Sequence, residues 1–375
     1  MKAGWKATKI GEVCDVVNGG TPKTNVDEYW NGEHLWVTPA EMGNRSTPYI
    51  SETVRKLSNA GIANCSAQLM PPFSVILSSR APIGHLVINT RPMATNQGCK
   101  GLVPSKLIYY KFIYYYLTSI VVLLNDLGTG ATFRELSGGK LKEVPIPLPP
   151  LPEQQRIVKI LDEAFESIAI AKTNAEKNLQ NARAIFESYL NDVFTKKGEG
   201  WVERTILECF KVRSGDFLPA KSMDTSGEFD VYGGNGIIGR HNKKNLTGEN
   251  IIIGRVGAKC GNVRHVQGDI WVTDNAFFIS EYLLPFDLDF LTRILNWNQL
   301  RNTANQAAQP VISYSTIKNI VIRFPAEKSI QKEYAEKFER LESRTRYLES
   351  IYQRKLTALD ELKKSLLHKA FSGEL

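Results

Sequence analysis

The 375-residue sequence predicts an α+β protein written twice: two α/β blocks joined by two long antiparallel coiled-coil helices in an internal pseudo-two-fold repeat. Three observations predict it. The chain repeats itself in order, each copy ends in a proline-free stretch of heptad periodicity, and 42% hydrophobic with 23% charged residues suits packed cores. The repeat begins with "GWKATKIGEVCDVVNGG" near the start and "GWVERTILECFKVRSGD" at residue 200. Gly4/Gly200, Trp5/Trp201, Ile10/Ile206, Glu12/Glu208, Val16/Val212 and Gly19/Gly215 are identical at an offset of 196. Further on, "VILSSRAPIG" resembles "IIIGRVGAKCG" and "MATNQG" resembles "WVTDNA" at offsets of 175–178, so the second block is shorter. At an offset of 176, Leu141/Ile317, Lys142/Lys318, Val144/Ile320, Ile146/Ile322, Pro149/Pro325 and Gln155/Gln331 correspond. At 177, Ser188/Ser365, Leu190/Leu367 and Phe194/Phe371 agree. The divisions expected are a block at 1–150, a long helix at 151–197, a second block at 198–325 and a second long helix at 326–375.

The first helix carries a seam at Ile157, Leu161, Ala164, Ile168, Ala171, Ala175, Ala182, Ile185 and Tyr189. The second carries one at Tyr334, Phe338, Leu341, Thr345, Leu348, Tyr352, Leu359, Leu362 and Leu366. Steps of three and four, interrupted only at Asn178 and Lys355, place these residues on one narrow face, and so long a face needs a partner; each helix is expected to pack on the other. "PIPLPPLP" at 145–152 precedes the first helix. Proline fixes φ and holds its predecessor extended, so this stretch reads as a stiff exit that aims the helix. Pro152 and Glu153 suit the helix start.

Composition narrows the function. The net charge is +8, and residues 1–150 hold most of the excess, with 15 basic and 10 acidic side chains, which favours a polyanionic partner. Five cysteines without a CxxC pair fit neither zinc nor a disulfide framework, and a reducing cytoplasm suits them. "LIYYKFIYYYLTSIVVLL" at 107–124 is the most apolar stretch, but Lys111 and five tyrosines point to a buried helix rather than a membrane span.

Catalytic patterns are missing from the sequence. "SGGKL" lacks the first glycine and the hydroxyl of a P-loop. "MPPF" at 70–73 has the prolines and aromatic of an amino-methyltransferase tetrapeptide without its polar first residue, and reads as a loop. "VYGGNGIIG" and "GRVGAKCG" have no strand–GxGxxG–helix frame. The five histidines show no HExxH, and GxSxG is absent. A binding role becomes the leading class.

Three passages carry a family resemblance: "GTGATFRELSGGKLKEVPIPLPPLPEQQRIVKILDEAF" (128–165), "KIGEVCDVVNGGTPKT" (9–24) and "LHKAFSGEL" (367–375). With the repeat, they make the chain resemble a specificity (S) subunit of a type I DNA restriction-modification system. The second copy departs from the pattern: "IVIRFPAEKSIQKEYAEKF" has lost "LPEQQ" except Gln331. The resemblance implies that each block is a target recognition domain reading half of a bipartite, asymmetric DNA site. It implies that the helices space the halves and dock modification subunits, with two copies expected. It also implies restriction subunits, with S-adenosylmethionine and ATP on those partners and none on this chain.

Base readout in the major groove needs Arg, Lys, Asn or Gln on loops, while other cations meet phosphate. In the first block the candidates are Lys23, Thr24 and Asn25 beyond the Gly-Gly turn, with Arg45, Arg80 and Arg134. In the second they are Lys221, Arg240, Lys243, Lys244 and Arg255. For any one of them a solvated surface charge is the plainer explanation. Arg80 and Arg255 hold equivalent repeat positions, which suits a shared framework role or a shared phosphate contact. "ATNQG" and "VTDNA" read as framework turns, because a reader should differ between copies. Two alternatives stand beside this reading: a self-contained DNA-modifying enzyme with a diverged site, marked by methyl transfer without partners, and a coiled-coil scaffold, marked by lack of a bipartite footprint.

Overall fold

The structure is a computed structural model describing residues 4–375 except 44, 46, 131–133, 197, 225 and 306–308. The chain forms two compact units, Met1–Ala175 with Arg354–Leu375, and Glu176–Gln353.

In the first unit, strand Lys6–Lys9 pairs antiparallel with the exit strand Pro145–Leu148. A proline-bearing strand suits a two-stranded ribbon, where missing N–H groups break no continuing ladder. The main sheet orders its strands Cys14–Asn18, Cys99–Pro104, Val75–Ser79, Ile83–Asn89 and Tyr49–Ile50. A smaller sheet orders Arg55–Leu57, Trp30–Val37 and Met93–Thr95. Val75–Ser79 is buried along its whole length, which explains its unalternating sequence. The tyrosine-rich stretch breaks at Ile120 into helices Tyr110–Ser119 and Val121–Leu127, with Phe112, Ile113 and Leu117 in the core. Among the described residues no helix is long and apolar enough to cross a membrane.

The second unit repeats this plan. Trp201–Thr205 pairs with Val321–Pro325, and the main sheet orders Phe210–Ser214, Ala276–Tyr282, Glu249–Gly254 and Val263–Gln267. Its small sheet orders Gly236–His241, Phe229–Gly233 and Ile270–Val272. The glycine run at 233–236 is the turn of a hairpin. Both small sheets contain the same parallel pairing, Leu35↔Met93 in one and Val231↔Trp271 in the other. The short fifth strand at Tyr49–Ile50 has no counterpart among the described residues of the second unit, consistent with the longer first block.

The long helices are Leu151–Thr195 and Lys328–Ser372, 45 residues each. They run antiparallel within each unit: Lys172 bonds Asp360 at 2.6 Å in the first, and Arg183 meets Glu349 at 3.7 Å in the second. Ile157, Leu161, Ile168 and Phe338 are buried, and Leu341, Leu359 and Leu366 are half-buried. Ile185, Leu348 and Leu362 depart from the expected seam and stand exposed, Ile185 at 48%. Phe186 packs inward where Ile185 was expected, and Leu362 is skipped between Leu359 and Leu366. A 3.6-residue helix drifts about 20° per heptad from a strict 3.5 repeat, so the inward face slides off a fixed heptad frame.

Candidate nucleic-acid interface

Strand direction decides which loops meet. In the first unit, Asn18 pairs with Lys100, Ser78 with Cys99, and Ser79 with Ile83. The Gly19–Tyr29 loop, the Arg80–Pro82 hairpin and the Asn96–Gly98 turn therefore share one end of the main sheet. Gly20 N–H donates to the Thr95 carbonyl at 2.9 Å. A Cβ on Gly19 would lie 1.7 Å from the Asn96 carbonyl oxygen, so only glycine allows this approach. Gly215 is in the same position, with the Val272 carbonyl oxygen 2.1 Å from its would-be Cβ. The matching turns are framework in both copies.

Two tryptophans hold the first loop. Trp36 Nε1 donates to the Gly20 carbonyl at 2.9 Å and Trp30 Nε1 to the Lys23 carbonyl at 3.3 Å. The indoles meet edge to face at 5.2 Å, and the Arg55 guanidinium lies 3.5 Å from the Trp30 ring centroid. The backbone is thus fixed while the Lys23, Thr24 and Asn25 side chains stay exposed. None of the three has an ion pair or side-chain hydrogen bond among the described residues. Beside them, Arg80 and Lys100 face Glu135 at 3.9 and 3.7 Å. Lys100, with only 8% of its side chain exposed, escapes sequence reasoning because it lies within a strand. Arg134 adjoins Glu135 and is exposed. Arg45 is elsewhere: its Nη2 donates to the Tyr49 carbonyl at 2.8 Å, and Tyr49 pairs with Ile88 at the opposite end of the sheet.

The second unit splits its candidates. Arg255 follows strand Glu249–Gly254, as Arg80 follows Val75–Ser79. Its Nη1 donates to Ser214 Oγ at 3.2 Å and the Asp274 carbonyl at 3.3 Å, and its guanidinium lies 5.3 Å from the Phe277 ring centroid. That geometry ties strand ends together. Arg240 lies at the far end of its hairpin from the Gly233–Gly236 turn, against Asp230 at 3.4 Å. Lys244 pairs with Asp269 at 2.7 Å. Lys221 and Lys243 are exposed and lack an ion pair among the described residues. On the loop equivalent to that of Lys23, Phe217 is 73% exposed, a residue that a search for cations passes over.

Burial pushes the Cys14, Cys99 and Cys209 thiols up to about 12, far from nucleophilic use at neutral pH. Among the described residues no group of three or more His, Cys, Asp or Glu could hold a metal. Each unit instead presents loops from a framework that is the same in both copies, while the exposed side chains differ. The class defined is a duplicated α/β protein whose two copies share a framework and differ in their exposed loops.

The chain belongs to the type I restriction modification DNA specificity domain family, whose model matches residues 2–180 and 198–356, once per copy. It is 32% identical over 235 residues to the type I restriction enzyme MjaIX specificity subunit of Methanocaldococcus jannaschii, covering 58% of this chain and 54% of that one. The chain thus spans about half the length of that relative. To the Escherichia coli EcoprrI specificity subunit it is 27% identical over 337 residues, covering 84% of this chain and 82% of that one. Two solved structures share the fold. One, from work on complex assembly and conformational transition of a type I R-M system, superposes with TM-score 0.79 at 15% identity, covering 100% of this chain and 99% of that one. The HsdS subunit of Thermoanaerobacter tengcongensis gives 0.69 at 15% identity, covering 100% and 98%.

Proposed function

We propose that the chain is the non-catalytic DNA-recognition subunit of a type I restriction-modification complex, reading a bipartite, asymmetric DNA site. Residues 1–150 and 198–325 are its two target recognition domains, and 151–197 and 326–375 its spacing helices. The observation that carries the reading is duplication of frame without duplication of loop: Lys23–Asn25 and Phe217 occupy corresponding loops with different side chains. Two linked readers gain affinity by effective concentration when both engage, and differing loops make the two halves differ. Lys23, Thr24, Asn25 and Lys221 are the proposed base-edge or groove contacts, with Arg134, Arg240, Lys243 and Lys244 contacting phosphate; Arg45, at the opposite end of its sheet, is left out. Arg80 and Arg255 brace strand ends and add positive potential. Partners are double-stranded DNA, two modification subunits that carry S-adenosylmethionine, and restriction subunits that use ATP, all in the cytoplasm.

Footprinting of random DNA by the chain with its modification subunits tests this. A protected pair of short sequences at a fixed gap is expected, and Lys23→Ala with Asn25→Ala should weaken one half only. A footprint without two halves, or methyl transfer by the chain alone, contradicts the proposal.

A further inference from the structure

We propose that Gln154 and Gln331 are matched positioning residues that set the gap between the two half-sites, a role that rests on the bipartite reading above. Each is fully buried in the first turns of a long helix. Gln154 Nε2 donates to the carbonyls of Pro149 at 2.8 Å and Leu107 at 3.0 Å, and its Oε1 accepts the Tyr109 N–H at 2.8 Å. Gln331 Nε2 donates to the carbonyls of Pro325 at 2.8 Å and Pro285 at 3.3 Å, and its Oε1 accepts the Asp287 N–H at 2.9 Å. In both units one amide joins the exit strand, the segment ahead of the helix packed on the sheet (Tyr110–Ser119 or Leu288–Trp297), and the long helix itself.

These bonds shift the sequence alignment by one. Gln331 corresponds to Gln154, at an offset of 177, and not to Gln155. The surrounding "PLPEQQ" has become "AEKSIQ" in the second copy, yet the amide persists. The chemistry explains why. Two donors and one acceptor are needed at this reach; Glu offers no donor and would bury a charge, and Asn is one methylene short.

The clamp acts on direction. A 45-residue helix is about 68 Å long at 1.5 Å per residue, so a tilt of about 5° at its first turn displaces its far end by about 6 Å. That approaches two steps of the DNA helix at about 3.4 Å each. A loosened clamp would therefore blur the measured gap before it unfolded a block.

The test uses the intact chain with its modification subunits and a DNA library in which the half-sites of the wild-type target are set one base pair closer or farther apart. For Gln154→Ala with Gln331→Ala, methylation at the native gap relative to its neighbours should fall about tenfold. Leu77→Ala, a core change in the first block, should lower methylation at all gaps alike. Single Gln331→Met gives the same readout if the double variant fails to fold, and amide exchange at Asp287 should rise in it. An unchanged gap preference in the clamp variants, with activity falling in parallel as for Leu77→Ala, overturns the inference. A wild-type complex with no gapped target overturns the functional reading instead.

Discussion

The two joints between block and helix reach one geometry from unlike sequences. The first has prolines at 145, 147, 149, 150 and 152; the second has only Pro325. Both nonetheless form an exit strand, and both close on a buried glutamine with the same three hydrogen-bonding roles. Proline density stiffens the first joint but is not what the copies share. A second difference lies beside it. Tyr115 meets Phe165 edge to face at 5.4 Å in the first unit, and the corresponding pair in the second is the Arg293–Glu342 ion pair. The lesson is that backbone satisfaction is retained at the joint while the packing around it is exchangeable.

The largest effect should come from the clamps. Gln154→Ala or Gln331→Ala strands one buried carbonyl, of Pro149 or Pro325, and takes a partner from a part-buried carbonyl and N–H, so each should cost about 2 kcal/mol in denaturant unfolding. A cost below about 1 kcal/mol at either would break the equivalence of the joints. Next comes Arg293→Met, which leaves Glu342 to Arg346 alone. The pair is partly exposed, so a loss of about 1–2 kcal/mol is expected, shrinking in high salt. Tyr115→Leu removes the edge-to-face contact and the hydroxyl's bond to Asp162 at 2.6 Å; Tyr115→Phe, which keeps the ring, should recover the part of the loss that is packing.

Pro149→Gly with Pro150→Gly should cost about 1 kcal/mol in total, acting through the unfolded chain. Because Gln154 still holds the helix, the gap preference should remain; a relaxed gap would return the role to the prolines.

The smallest effect is electrostatic. Glu208 closes a capping box with Thr205 beside the second joint, and hydrogen bonds from the Thr205 hydroxyl and then its amide hold the carboxyl below its ordinary value. Its folded pKa is depressed, so its contribution is present above the ordinary carboxylate range and lost as pH falls through the lowered value. Glu208→Gln should flatten that part of the acid unfolding curve. The first unit's matching helix has Lys9 at its cap, which makes no capping bond and pairs with Glu143 at 2.6 Å instead.

The repeat was legible because glycine, tryptophan and apolar spacing write themselves into sequence. Gly19 and Gly215, for instance, stand where no Cβ fits. The clamp was not, because one hydrogen-bond set survives a one-residue slip that ungapped comparison assigns to Gln155. Ile185, Leu348 and Leu362 fell outside the buried face because a heptad count ignores helical drift. The candidate loops were visible as polar, glycine-flanked stretches, but only strand pairing shows that Arg80 and Lys23 share an end while Arg45 leans away. Lys100 looked like any strand residue.

As proposed above, this chain directs a complex to two different half-sites at one gap. Mapping methylated adenines in DNA from cells carrying the chain and its modification subunits, with and without the chain, tests it most directly. One asymmetric sequence pair at a single fixed spacing, lost when the chain is deleted, is expected. Methylation that is unchanged by the deletion, or confined to a single uninterrupted sequence, would contradict it.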